Sequence, residues 1–173
     1  MRIAKVERKT KETEVKVSLN LDGSGKTKID TGIGSFDSFL QCFAVSGSFD
    51  LDIQASGDLT TGTHHMIEDV AICLGKAFLK AIGGKKGIGF SIVPVYDSIA
   101  VVAVNLDSPY FVKDFDLTSE IENIEPNNIE HFLQSFALNA EITLNIMAKG
   151  KNNHNKCLSI FKALGISMKN AIS

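Results

Sequence analysis

The chain contains no tryptophan, and only three prolines and three cysteines among its 173 residues. The cysteines, Cys42, Cys73 and Cys157, are odd in number and far apart, with no CxxC or CxxxC pair. That excludes a zinc ribbon and a disulfide framework. Each lies inside an apolar run, so they read as small buried hydrophobes. No apolar run approaches the roughly 18 residues that span a bilayer. Met1–Arg8 carries no apolar stretch of a signal peptide either. The expected location is therefore the cytoplasm, without membrane contact. Neither sign of charge dominates: 18 Lys and Arg face 20 Asp and Glu, for a net charge of −2. This argues against a nucleic-acid partner. A hydrophobic content of 44% with 22% charged residues excludes a disordered chain. The length suits one domain, spanning residues 1–173, that buries its core without cross-links.

The chain does hold an internal repeat, the first thing to seek in a new sequence. Asp37–Asp58 laid over Glu130–Lys151, a constant offset of 93, gives nine identities in 22 pairs. They include Phe39/Phe132, Leu40/Leu133, Phe43/Phe136, Leu51/Leu144, Ile53/Ile146 and Gly57/Gly150. A loop three residues shorter then brings the offset to 90, where His64 meets His154 and Leu74-Gly75 meets Leu164-Gly165. Residues 1–85 and 86–173 are thus expected to be two copies of one half, each reading helix, strand, loop, helix.

Periodicity supports this. Thr13, Val15, Val17, Leu19 and Leu21 alternate as on a half-buried strand. Phe36, Phe39, Leu40 and Phe43 recur at helical spacing, and Phe49, Leu51, Ile53 and Ala55 alternate again. Ile67, Ala71, Leu74 and Phe78 form a helical stripe stopped by Gly83-Gly84. In the second half, Ile88–Val95 is an apolar run broken by Pro94. Ile99–Val104 reads as a strand covered on both faces. Tyr110–Phe115 is a further strand, Ile121–Asn128 a polar connection, Ile129–Leu138 a helix, Ile142–Ala148 a strand and Cys157–Ile172 the last helix. The class is α+β: two tandem repeats forming mixed sheets with paired helices.

The strongest chemical signal is Thr63-His64-His65-Met66-Ile67-Glu68-Asp69. Spacings of three and four place both imidazoles and the Glu68 carboxylate on one helix face, a set that suits a transition metal. The plain alternative is a solvated helix start with Glu68 complementing the dipole. The matching stretch of the second repeat keeps only His154; Asn155 and Leu158 stand where His65 and Glu68 would be. His131, beside Glu130, reads as a solvated surface histidine. It aligns with Ser38 in the repeat, which makes it a candidate replacement imidazole. Glu12 reads as a strand-edge carboxylate. Gly83-Gly84-Lys85-Lys86-Gly87 has the composition of a phosphate loop, but lacks the Walker spacing and a following helix; it reads as a linker.

Taken in order along nearly the whole chain, these motifs resemble imidazoleglycerol-phosphate dehydratase of histidine biosynthesis. The markers are Arg8-x-Thr10-x-Glu12-Thr13, Leu21-Asp22-Gly23-x-Gly25, Thr31-Gly32-Ile33-Gly34 with Phe36-Asp37, Gly57-Asp58, His64-His65-x-x-Glu68-Asp69-Val70, Gly150-x-Asn152-x-His154 and Phe161-Lys162-Ala163. The resemblance implies helices packed between two four-stranded sheets, and a homo-24-mer with sites between subunits. It implies two manganese ions that bind the imidazole of a phosphorylated substrate, and dehydration to imidazole-acetol phosphate. Carried over by motif, Glu12 is the acid/base residue, and His64, His65, Glu68 and His154 are metal ligands. Lys162 and Asp97 are substrate-binding residues, Lys162 at the phosphate.

The departures are as specific. Ser38, Asn145, Asn155 and Leu158 stand at positions where the resemblance predicts metal ligands. Phe90 stands where a phosphate-binding Arg is expected. The Asp107-Ser108-Pro109 loop has lost another Arg, and bidentate Arg–phosphate forks have no equivalent in what remains. Two readings follow. One is a divergent dehydratase with a remodelled metal site. The other is a non-catalytic structural or regulatory subunit that keeps the fold. A third, a metal- or anion-binding cage for another ligand, rests only on Phe90 and Tyr96.

Overall fold

A computed structural model describes all residues, 1–173. The chain forms β1 (Ile3–Lys9), β2 (Thr13–Asn20), β3 (Thr27–Asp30), α1 (Gly34–Gly47), β4 (Asp50–Gly57) and α2 (His64–Ile82). It then repeats the same order as β5 (Ile88–Val95), β6 (Ser98–Asn105), β7 (Tyr110–Asp114), α3 (Pro126–Ala140), β8 (Thr143–Lys149) and α4 (Asn153–Ile172). The two sheets have the same strand order, β1-β2-β4-β3 and β5-β6-β8-β7. In both, the short third strand pairs parallel with the fourth and the other pairs are antiparallel. The four helices lie between the sheets.

The alternation read from the sequence forms β2, whose Thr13, Val15, Val17 and Leu19 are all buried. α2 ends at Gly83 in the left-handed region (φ 63°), a conformation that glycine adopts without a Cβ penalty. Several elements differ from expectation. β1 and β3 complete the first sheet although β3 is only four residues with no clear apolar alternation. Helix α3 starts at Pro126, not Ile129, because proline at the first helical position gives up only an N–H that has no partner there. Helix α4 starts at Asn153, four residues before Cys157, because the Asn152 side chain caps it by accepting from the Asn155 N–H at 2.9 Å. β6 is covered on one face only within the chain: Ile99 is 44% exposed.

One core of 50 buried residues draws on both repeats. Helix α1 packs on α4 and α2 on α3, so each helix pair joins one repeat to the other. Gly75 and Gly165 mark the two crossings. A Cβ at Gly75 would lie 2.8 Å from the Phe136 carbonyl oxygen, and one at Gly165 would lie 2.2 Å from that of Phe43. The centre is phenylalanine: Phe39 stacks on Phe161 at 5.4 Å, and Phe43 meets Phe78 at 5.6 Å and Phe136 at 6.0 Å. Cys73 and Cys157 are buried as expected, with thiols pushed up by burial to about 11 and about 12. Cys42 is half-buried.

The repeats diverge at the surface. The outer face of the first sheet presents Lys5, Glu7, Lys16, Lys28 and Gln54. The outer face of the second presents Ile88, Phe90, Ile92, Ile99, Val112 and Met147. The largest cavity, about 680 Å³, opens there beside Ile99, Val101, Met147, Lys149 and Lys156.

Candidate metal centre

Each repeat places a hairpin turn over the N-terminus of its long helix. The strand register makes the two arrangements equivalent. Thr13 pairs with Gly57, and Ser98 lies against Gly150. Both glycines are required by close approach, since a Cβ at Gly57 would fall 2.6 Å from the Glu12 carbonyl oxygen and one at Gly150 2.0 Å from Ser98 Oγ. The positions therefore correspond as Glu12 to Asp97, His64 to His154, His65 to Asn155, Glu68 to Leu158 and His131 to Ser38.

At the first-repeat end, α2 opens with His64 and His65. His64 Nδ1 lies 3.2 Å from Asn128 Oδ1, and its Nε2 lies 3.4 Å from Glu68 Oε2 one turn along. Asn128 is buried and its amide donates to Thr63 Oγ1 at 3.2 Å, which orients its carbonyl oxygen toward the imidazole. With that oxygen accepting from Nδ1–H, Nε2 is the ring nitrogen turned toward Glu68. An imidazole held this way by a second partner is the arrangement metal-binding histidines adopt. The His131 ring, from α3, lies 5.4 Å from His64. His131 is exposed, but it belongs to this cluster and is not an isolated surface histidine. The His65 ring lies 5.6 Å from that of His64, and its Nδ1 turns to the hairpin, 3.1 Å from Glu12 Oε2.

A buried carboxylate holds that hairpin. Asp69 accepts from Arg8 Nε at 2.9 Å and from the Thr13 hydroxyl, and Thr13 bonds in turn to Thr10. Asn128 and Asp69 were not singled out from the sequence. Asp69 directly follows Glu68, and Asn128 precedes His131 by three, so helical spacing carried a signal for both.

At the second-repeat end, the same positions do something else. The His154 ring rests on Phe39, 5.3 Å away, and makes no hydrogen bond within the protein. Ser35, which corresponds to Asn128, is buried with an unpaired hydroxyl. Asp97 accepts from the Lys151 and Asn152 backbone N–H groups at 3.0 Å each and from Asn155 Nδ2 at 3.1 Å. Ser98 Oγ donates to it as well, at 3.1 Å. Hydrogen bonds, that of Asn155 foremost, hold the Asp97 carboxyl down at about 2. The expected substrate-binding carboxylate is thus fully engaged by its own chain. Lys162, half-buried two turns along α4 from His154, bonds to no protein group. Asn145 lies on the exposed outer face of β8, away from both helix ends.

Within one chain, no three His, Cys, Asp or Glu side chains converge closely enough to hold a metal ion by themselves. His64, Glu68 and His131 are the nearest to such a set. Their donor chemistry, two imidazoles and a carboxylate with one tautomer fixed by Asn128, suits a first-row divalent ion. No helix is long and apolar enough to cross a membrane.

Comparison with known proteins identifies the family. The imidazoleglycerol-phosphate dehydratase family model matches residues 31–168. The protein of that name from Clostridium botulinum is 45% identical over 176 aligned residues, covering 98% of this chain and 90% of its own length. That of Thermoanaerobacter pseudethanolicus is 46% identical over 178, covering 99% of this chain and 92% of its own. Among solved structures, imidazoleglycerol-phosphate dehydratase from Staphylococcus aureus superposes with a TM-score of 0.87 at 26% identity. It covers 98% of this chain and 97% of its own. The Pyrococcus furiosus structure gives 0.86 at 29%, covering 97% of this chain and 93% of its own. With the family model matched over residues 31–168 and relatives 45–46% identical along nearly the full length, the chain belongs to the imidazoleglycerol-phosphate dehydratase family.

Proposed function

We propose that this chain catalyses the dehydration of imidazoleglycerol phosphate to imidazole-acetol phosphate at the first-repeat helix end. The observation that carries the reading is the Asn128–His64–Glu68 arrangement with His131 beside it. His64, Glu68 and His131 are the residues that would hold a divalent ion, manganese by family resemblance, with His65 and His154 as further imidazoles. When bound, such an ion supplies a Lewis acid that favours the deprotonated form of the substrate imidazole. Glu12, exposed beside His65, moves the proton lost from the carbon next to the departing hydroxyl. The lost proton and hydroxyl leave as water, and the resulting enol becomes the ketone of the product. Lys162 offers the phosphate one positive charge in place of the absent arginine forks.

The reading includes assembly of identical chains, 24 by family resemblance. The exposed apolar face of the second sheet supports self-association, because Ile88, Phe90 and Ile92 are each more than 60% exposed in the single chain. The incomplete donor set in one chain supports it too.

The test is turnover by the purified chain with imidazoleglycerol phosphate and manganese, read as imidazole-acetol phosphate formed. Wild type should turn over, and Glu12→Gln should lose about a hundredfold or more. No product from wild type would leave the second reading, a non-catalytic subunit. That reading has its own support in Ser38, Asn155 and Leu158, which remove three donors from the second-repeat end.

A further inference from the structure

Both hairpin turns are fastened by a carboxylate, but the carboxylate comes from a different place in each repeat. In the second repeat it is the turn's own Asp97, which accepts from the Lys151 and Asn152 N–H groups and from Asn155. The residue at the Glu12 position is there spent on structure. In the first repeat it is Asp69, in the second turn of α2 and outside the hairpin it holds. Asp69 accepts from Arg8 Nε at 2.9 Å on one oxygen and from the Thr13 hydroxyl on the other. Its side chain is only 10% exposed.

The second repeat cannot copy these bonds. Arg8 pairs with Val15 as Val93 pairs with Ala100, so Val93, without a donor, stands at the Arg8 position. Ser159 follows Leu158 as Asp69 follows Glu68, and it is buried with its hydroxyl given to the Lys156 carbonyl oxygen at 2.8 Å.

An ionised carboxylate only accepts, so it fixes which way the hydroxyls behind it point. Thr13 donates to Asp69 and therefore accepts from Thr10 Oγ1, 3.2 Å away. Thr10 Oγ1, with its hydrogen turned to Thr13, accepts from the N–H groups of Glu12 at 3.2 Å and Thr13 at 3.1 Å. The Thr10 N–H closes the turn on the Thr13 carbonyl oxygen at 2.8 Å. The bonds thus run from Asp69 to the backbone of Glu12, and none of them uses the Glu12 carboxylate. That carboxylate is 57% exposed and meets His65 Nδ1 at 3.1 Å.

We infer that Asp69 is a positioning residue: through Thr13 and Thr10 it sets the turn that presents Glu12, and so leaves the Glu12 carboxylate free. The inference rests on the proposed function only for the chemistry that Glu12 performs.

The experiment compares Thr13→Val, which removes the hydroxyl and suits a strand, with Thr13→Ser, which keeps it. Asp69→Ser, which copies the second repeat at Ser159, is the further variant. In the full-length protein, hydrogen exchange over residues 8–15, read by mass spectrometry, should quicken about fivefold or more in Thr13→Val and Asp69→Ser. It should match wild type in Thr13→Ser. With imidazoleglycerol phosphate and manganese, Thr13→Val and Asp69→Ser should lose about tenfold or more in kcat, with KM within about twofold. Thr13→Ser should keep the wild-type kcat. In a Glu12→Gln background Thr13→Val should cost nothing further, because its effect passes through Glu12. Unchanged exchange, a loss carried by KM, a loss in Thr13→Ser as deep as in Thr13→Val, or the same kcat loss in the Glu12→Gln background would overturn the inference. Quickened exchange in the variants of a chain that does not turn over as wild type leaves the role of Asp69 standing and breaks the dehydratase reading. Turnover with unchanged exchange does the reverse.

Discussion

The first-repeat helix end and the second-repeat helix end share a backbone and differ in chemistry at three of five matched positions, His65/Asn155, Glu68/Leu158 and His131/Ser38. At the first, a buried Asn128 orients His64, Glu68 stands one turn away and His131 approaches from the neighbouring helix. At the second, Leu158 and Ser38 hold the equivalent positions and Asp97 is consumed by main-chain donors. Both halves keep the fold, while the cluster of imidazoles beside a carboxylate stands at one end only. Packing constrains a core position to the size and shape of its neighbours. A donor at a solvent-facing helix end is constrained only by what it binds, so it is free to change once that ligand is gone.

The contrast can be tested where the halves agree. Phe43 and Phe136 are repeat-equivalent and both essentially fully buried. Phe43→Ala and Phe136→Ala should each destabilise by about 3–5 kcal/mol, measured by denaturant unfolding. A large difference between them would show that the shared core leans on one repeat. Where the halves disagree, the effects should be one-sided. His131→Ala should lower kcat/KM by about a hundredfold or more, while Ser38→Ala, at the equivalent position, should leave it within about twofold. Equal losses would mean that both ends serve the reaction.

A smaller effect separates the ends by pH. Hydrogen bonds depress the Asp97 carboxyl from 3.8 to about 2. A carboxyl with a lowered folded-state value stabilises the fold fully above its unfolded value and loses that contribution as pH falls through the folded one. Melting temperatures should therefore show a Asp97-dependent decline between pH 4 and pH 2, absent in Asp97→Asn. Asp22 is held down to about 2 by Arg2 and contributes over the same window, so the comparison is best made in an Asp22→Asn background. Asp50, Asp58 and Asp107 are lowered too, so the measure is the difference in slope: if Asp97→Asn leaves the decline in that background unchanged, Asp97 is not what titrates.

Much of this was legible along the chain. The 93-residue offset revealed the duplication because identical cores need identical residues at identical intervals. The helix of Ile67, Ala71, Leu74 and Phe78 and the strand of Val15, Val17 and Leu19 were legible because burial imposes their periods. β3 was not, since Thr27–Asp30 is short and its place is fixed by pairing with β4 rather than by its own pattern. The starts of α3 and α4 were hidden by polar residues, Asn127, Asn128 and Asn153 to Asn155, whose roles are caps and partners instead of core.

The linear order of residues also placed His64, His65 and Glu68 together, because helical spacing alone brings them to one turn. It could not show that His65 reaches Glu12 on the hairpin, that His131 arrives from 67 residues away to meet His64, or that Asn145 lies on the exposed face of its sheet. Those relations depend on which helix packs on which and on the face each strand residue takes. Motif resemblance pointed to the family and the repeat to the half-domain plan; the pairing of α2 with α3 and of α1 with α4 decided which side chains meet. Side-chain chemistry at a site is a property of elements distant in sequence, and only long-range packing brings them within bonding distance.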